Sequence, residues 1–141
     1  MTTGFTDPEQ AEAAFYQAFA GLAIDGMEAV WSSRAALVCI HPGGPVLEGR
    51  AAVLRSWVDI FRSADAPGVA CRTVSSSQGS DLAVHVVEEH IRPRGGTASA
   101  GAIVIATNVY RREAEGWRLV VHHASSPPQG QARPPRAEIV H

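Results

Sequence analysis

The stretch Ala36-Leu37-Val38-Cys39-Ile40-His41-Pro42-Gly43-Gly44-Pro45, followed by Gly49-Arg50 and an amphipathic run to Phe61, decides how this chain is read. Leu37 through Ile40 are apolar and partly β-branched, the composition of a short buried strand. Pro42 confines the His41 backbone to extended conformations and Pro45 removes another donor, so the strand stops there. An ionisable imidazole is thereby set at the mouth of a strand, beside a rigid turn. From Arg50 the residues Val53, Leu54, Trp57, Val58 and Phe61 recur on one side of a helix, which Ala66-Pro67-Gly68 ends.

On the N-terminal side, Thr6-Asp7-Pro8-Glu9 is a helix start, with a capping side chain, a proline in the first turn and an acid where the helix dipole favours it. Ala14, Phe15, Ala18, Phe19 and Leu22 form its apolar stripe. Asp25-Gly26 punctuates, and a second short helix carries Met27, Val30 and Trp31. Beyond Gly68 the period changes to two. Strands are expected over Gly68–Ser75, Leu82–Arg92, Ala100–Arg112 and Trp117–Ser125, with turns at Gln78-Gly79-Ser80-Asp81, Gly95-Gly96 and Ala114-Glu115-Gly116. Helices first and a long meander after them make an α+β chain.

With 141 residues the chain is expected to hold one domain over 1–125, with a proline-rich tail over 126–141. A net charge of −2, with twelve scattered Arg and no Lys, gives no basic face for nucleic acid. Cys39 and Cys71 lie in apolar strand-like runs and read as free buried thiols. There is no leader-like N-terminus and no apolar run of membrane-spanning length, so a cytoplasmic protein without membrane partners is expected.

The order of elements, together with Phe15, Asp25, Trp31, Cys39-Ile40-His41-Pro42, Leu47-Glu48-Gly49-Arg50, Trp57, Thr107-Asn108-Val109-Tyr110-Arg111 and Trp117 through Ser125, resembles the NTF2-like superfamily over residues 8–126. Within it the chain looks like the SnoaL-like proteins and the association domain of calcium/calmodulin-dependent kinase II. The resemblance implies a cone, in which a curved, mixed and largely antiparallel sheet wraps a long N-terminal helix plus two shorter helices. It also implies one apolar pocket and a homodimer through the outer sheet face. The fold hosts isomerases, cyclases, dehydratases and non-catalytic scaffolds, so it does not name a reaction.

In ketosteroid isomerases of this superfamily an Asp-Pro ends the strand that His41-Pro42 ends here, and that Asp is the base. A neutral imidazole takes a proton equally well, which makes His41 the first catalytic candidate; the plainer reading is a His that caps the turn. The isomerase's acidic oxyanion partner matches Thr107, and its Tyr falls near Gln17, with Tyr16 one residue away. Strict alternation from Trp117 puts Leu119, Val121, His123 and Ser125 on one face, which the family points inward; His122 then faces out. Glu88 and His90 share a face with Val84 and Val86, and the family register turns that face inward, although parity leaves His85 and Glu89 as an equal alternative. Catalytic roles are therefore expected at His41, His123 and His90, and ligand contacts at Trp57, Tyr16, Trp31, Glu88 and Thr107. His41, His90 and His123 lack zinc-type spacing, so neither metal nor cofactor is expected.

Two classes of function follow. One is a cofactor-free acid–base enzyme of isomerase, cyclase or dehydratase type, acting on a small apolar or amphipathic molecule. The other is a non-catalytic ligand-binding or homo-oligomerisation domain.

Overall fold

The computed structural model describes residues 4–63, 68–92 and 101–127. The helix stop at Ala66-Pro67, the turn at Gly95-Gly96 and nearly all of the proline-rich tail lie outside these residues. Three helices, α1 (Pro8–Gly21), α2 (Ile24–Val30) and α3 (Arg50–Ser63), accompany six strands: β1 (Val38–Ile40), β2 (Val46–Glu48), β3 (Gly68–Gln78), β4 (Leu82–Arg92), β5 (Ala102–Glu113) and β6 (Gly116–Ser125). The sheet order is β2-β1-β6-β5-β4-β3. Among the described strands only β1 and β6 pair in parallel, so the sheet is mixed and open, and it curves around α1 as the expected cone.

Local chemistry accounts for the elements. The Asp7 carboxylate accepts from the Gln10 N–H at 2.8 Å, and the Gln10 side chain accepts from the Thr6 N–H at 3.1 Å, a reciprocal cap for α1. α1 ends at Leu22 in the left-handed region, φ 52°. Asp25-Gly26, expected as a break, lies inside α2 instead. Glycine serves there for proximity, since a Cβ on Gly26 would come 2.9 Å from the Ala18 Cβ.

The proline-glycine stretch does more than end a strand. It turns β1 into a hairpin with β2, an extra strand that pairs Ile40 with Val46 and Val38 with Glu48. Gly43 supplies the turn's positive φ of 72°, and the Gly44 N–H donates to the His41 carbonyl at 2.8 Å. Arg50 then ties α3 to the end of α2, donating to the carbonyls of Glu28, Trp31 and Ser32 at 2.8, 2.9 and 3.0 Å.

Two β-bulges shape the cone. Val87 faces Thr73 while Val86 faces Ser75, leaving Val74 as an extra residue in β3. Val109 faces Val121 while Tyr110 faces Leu119, leaving Val120 as an extra residue in β6. An extra residue bends its strand and resets which side chains face inward. The core around α1 contains Phe15, Met27, Trp31, Leu37, Trp57, Tyr110 and Leu119, each essentially inaccessible to solvent.

Candidate functional site

Glu12 and Tyr16 are one helical turn apart on α1, so both side chains enter the cone from one face. Each meets residues of the sheet. In the layer of Tyr16, its hydroxyl donates to Glu89 Oε2 at 2.7 Å and accepts from Asn108 Nδ2 at 3.0 Å. Asn108 Oδ1 then lies 2.6 Å from His122 Nδ1. With the Asn108 amide nitrogen committed to Tyr16, its oxygen is an acceptor, which assigns the His122 proton to Nδ1. The bare Nε2 of His122 is 3.9 Å from Glu89 Oε2.

In the layer of Glu12, its Oε2 accepts from the Tyr110 hydroxyl at 3.0 Å and lies 3.0 Å from His85 Nδ1. The other nitrogen of His85 is 3.5 Å from Glu9 Oε2, on the exposed rim of the helix. Tyr110 and Asn108 alternate inward on β5, and His85 and Glu89 do so on β4, so the layers stack along the cone axis.

His41 stands beside this network. Its ring packs edge-on to Trp57, with centroids 4.9 Å apart, and lies 6.5 Å from the His122 ring. The Ser56 hydroxyl donates to the Val53 carbonyl at 2.7 Å, so its oxygen accepts the proton on His41 Nε2 at 3.0 Å. That leaves the lone pair of a base on Nδ1. Cys39 Sγ is 3.7 Å from the same Nε2. Half-buried Phe19 and Phe61 complete the surroundings of Trp57, with centroids 5.0 and 5.8 Å from it.

Burial sets the electrostatics. Glu89 is only 2 % exposed, and its pKa rises from 4.5 to about 7 because burial disfavours the carboxylate and the charge of Glu12 adds to the effect, while the Tyr16 hydroxyl opposes them. Burial lowers His122 from 6.5 to about 3, and keeps it neutral. His41 is lowered for the same reason. The thiols of Cys39 and Cys71 are pushed up to about 12, chiefly by burial, and the Tyr16 hydroxyl is raised by burial and by Glu89.

The expected residues divide. His41, Trp57 and Tyr16 meet in the cone, and Trp31 lies deeper in its core, its ring against Phe15. His123 is corrected: it is exposed, and His122 occupies the interior. The cause is the Val120 bulge, which strict alternation from Trp117 passes over. Thr107 is corrected as well, since it pairs with Val86 and His123 on the outer face while Asn108 points in. Glu88 and His90 also face outward. Glu88 Oε1 holds Arg72 Nε at 3.0 Å and His90 Nε2 at 3.1 Å, and His90 lines a 430 Å³ cavity with Gly68, Val69, Ala70 and Arg92. Their neighbours His85 and Glu89 enter the cone instead. Sequence reasoning also missed Glu12, Ser56 and Tyr110; the spacing of Glu12 and Tyr16 on one helix face was the available signal.

Among the described residues, no group of three or more His, Cys, Asp or Glu side chains is arranged to hold a metal ion. No helix among them is long and apolar enough to cross a membrane. The SnoaL-like domain family matches residues 9–129. A protein of Thiobacillus denitrificans, assigned as a calcium/calmodulin-dependent protein kinase type II association domain, is 39% identical over 90% of this chain and 100% of its own, with a TM-score of 0.83. A protein of Streptomyces avermitilis, assigned as a dehydratase of the NTF2-like family, is 33% identical over 85% of this chain and 93% of its own, with a TM-score of 0.77. A domain of unknown function from Nostoc punctiforme, 17% identical, shares the cystatin-like fold over 86% of this chain and 75% of its own, with a TM-score of 0.68. No curated protein matches the chain.

Proposed function

Because the chain belongs to the SnoaL-like family of the NTF2-like superfamily, we propose that it is a small-molecule enzyme using cofactor-free acid–base chemistry of the dehydratase or isomerase type. The observation that carries this reading is a pair of ionisable groups in one cone whose surroundings drive them to complementary working states. His41 is neutral with a lone pair on Nδ1, and Glu89 keeps its proton up to about pH 7. In a dehydration, His41 takes a proton from the carbon next to a carbonyl. The electron pair of that C–H bond forms the double bond, the C–O bond breaks, and Glu89 protonates the departing hydroxyl to water. The imidazolium and carboxylate left behind return to their starting states by exchanging a proton with solvent. The aromatic surroundings of Trp57, Phe15, Phe19 and Phe61 and the buried carboxyls favour an uncharged, largely apolar substrate.

The test is a panel of β-hydroxy carbonyl and β,γ-unsaturated carbonyl compounds, followed by the absorbance of the conjugated product. Turnover should fall by about 10²–10⁴ in His41→Ala and in Glu89→Gln. Unchanged turnover in either variant removes that residue from the mechanism. No turnover by the wild-type protein, with binding of the same compounds intact, makes the cone a carrier site.

A second reading concerns assembly and is compatible with the first. Val74, Leu82 and Val84 are 50 %, 50 % and 40 % exposed on β3 and β4. An apolar sheet surface of this kind, in a chain 39% identical to a protein assigned as an association domain, supports a homodimer through the outer sheet face. The free thiols Cys39 and Cys71 suit a reducing compartment such as the cytoplasm.

A further inference from the structure

Glu89 of β4, Tyr16 of α1, Asn108 of β5 and His122 of β6 form a ring of side chains that is open at one place. Glu89 Oε2 receives the Tyr16 hydroxyl at 2.7 Å, that hydroxyl receives Asn108 Nδ2 at 3.0 Å, and Asn108 Oδ1 receives His122 Nδ1–H at 2.6 Å. The fourth side is not a hydrogen bond, because His122 Nε2 and Glu89 Oε2 stand 3.9 Å apart. With the proton on Nδ1, Nε2 is a bare lone pair. His122 is 1 % exposed, and its ring is packed by Phe15 and Trp57, with centroids 5.1 and 5.9 Å away. Among the described residues no hydrogen bond reaches that lone pair, and a buried acceptor without a donor calls for an explanation.

The acid–base steps above use His41 and Glu89 and give His122 nothing to do. They do bring a hydroxyl group to Glu89, which protonates its oxygen as it leaves. That hydroxyl carries a hydrogen of its own, which needs an acceptor once the molecule has left water. Two groups 3.9 Å apart can both be touched by one oxygen lying to the side of the open edge, about 2.8 Å from each. We propose that His122 is a specificity-determining residue: its Nε2 lone pair accepts a hydrogen bond from the substrate hydroxyl that Glu89 protonates, so the cone selects a free hydroxyl over an ether or a bare carbon chain. The proposal rests on the reading of the cone as the site of a β-hydroxy carbonyl compound. His122 receives a hydrogen bond and takes no proton, because burial holds its imidazole far below 6.5, at about 3. As the C–O bond breaks, the departing water leaves with its own hydrogen and the one from Glu89. Asn108 sets the tautomer this needs, since a proton on Nε2 would turn the acceptor into a donor. The His41 ring is 6.5 Å from that of His122, near enough for one small molecule to reach both imidazoles.

The experiment compares three compounds on the full chain: the aldol of benzaldehyde and acetone, which is a β-hydroxy ketone, its methyl ether, and the deoxy ketone. The ether keeps an oxygen for Glu89 and lacks only the hydrogen that His122 accepts. It is larger than the alcohol and the deoxy ketone is smaller, so bulk cannot weaken both. Binding is read from tryptophan fluorescence in the first moments after mixing, with Trp57 beside the His122 ring. The wild-type chain should hold the aldol about tenfold more tightly than either analogue. His122→Asn keeps an N–H for Asn108 and has no atom where Nε2 stood, so the preference should disappear. His122→Gln brings an amide oxygen to the place of Nε2 and gives up the bond to Asn108, and the preference should survive. A residue that only holds Asn108 in place would show the reverse, with the preference kept in His122→Asn and lost in His122→Gln. That reversal overturns the proposal, and so does equal binding of the three compounds by the wild-type chain, a comparison that needs no variant to fold. Turnover of the aldol without a binding preference removes His122 and leaves the proposed enzyme intact. The preference without turnover supports His122 as the hydroxyl's acceptor and overturns the enzyme. Failure of the aldol to bind overturns both.

Discussion

The hydroxyl of Tyr16 and the carboxyl of Glu89 meet at 2.7 Å across 73 positions of sequence, and this bond joins α1 to β4 inside the cone. Neither partner is free to leave, because Asn108 holds the far side of the same hydroxyl. Tyr16→Phe removes the donor and leaves the Asn108 amide without its acceptor. Loss of about 1–3 kcal/mol is expected in urea unfolding. Because the Tyr16 bond lowers the Glu89 pKa, that midpoint should also rise in the variant. A fall would show that the hydroxyl is an acceptor here.

The rate of turnover should have a narrow pH window. The base must be unprotonated, and burial holds His41 below its ordinary value of 6.5, which places the rising limb on the acid side. The acid must be protonated, so the falling limb should come near 7, where Glu89 titrates. The measurement is kcat/KM across pH. A falling limb that persists in Glu89→Gln belongs to another group.

Folding stability should carry two opposed contributions. Glu89 is raised from 4.5 to about 7, so its contribution is fully present below about 4.5 and is lost as pH rises to about 7. His122 is lowered from 6.5 to about 3, so its contribution is fully present above 6.5 and is lost as pH falls to about 3. Across the shared window the slopes cancel. Glu89→Gln should leave stability rising with pH between about 3 and 6.5, and His122→Gln should leave it falling between about 4.5 and 7, each by a few kcal/mol. Urea midpoints at a series of pH values check this. Two variants with the wild-type profile would remove both groups from the linkage.

Val84→Asp places a charge on the exposed sheet face, where it faces solvent in the single chain and is buried in a face-to-face dimer. Sedimentation should show a dimer for the wild-type chain and a monomer for the variant, with an unaltered circular dichroism spectrum. A surviving dimer assigns the interface elsewhere.

Arg50→Ala removes three donors from the carbonyls of Glu28, Trp31 and Ser32, at a cost of about 2–3 kcal/mol. Arg50→Lys should recover little, since an ammonium lacks the planar fork that reaches all three. Equal stability of the lysine variant and the wild-type chain would show that charge alone is enough.

The helices, the meander and the cone were legible because they depend on periodicity, caps and turn residues that lie close together in the chain. The composition of the site was only half legible. His41, Tyr16 and Trp57 sit on elements whose facing is set by a proline turn or by helical spacing. His122, Asn108, Glu89 and His85 sit on long strands, where facing is a matter of parity. In β6 the extra Val120 lets Trp117 and Leu119 share the interior with His122 instead of His123. No residue type marks that bulge, since valine is at home in regular strand. Likewise β2 was missed because three residues after a Pro-Gly turn carry too little pattern to stand out.

The clamp at Arg50 also sets where along its length α3 can give way. α3 is pinned at its first residue by three hydrogen bonds, while midway along it Trp57 packs against Phe15 and Phe19 of α1 and against His41, and Phe61 one turn further on packs against Trp57 of the same helix. A rod fixed at one end swings about that end. Phe61 is roughly 16 Å along the axis from Arg50, Trp57 about 10 Å and Val53 about 5 Å. Any opening of the cone along α3 is therefore a matter of leverage, largest at Phe61, smaller at Trp57 and slight at Val53. Because Ser56 on this same helix holds His41 Nε2 at 3.0 Å, any such swing is felt at the imidazole as well as at Trp57.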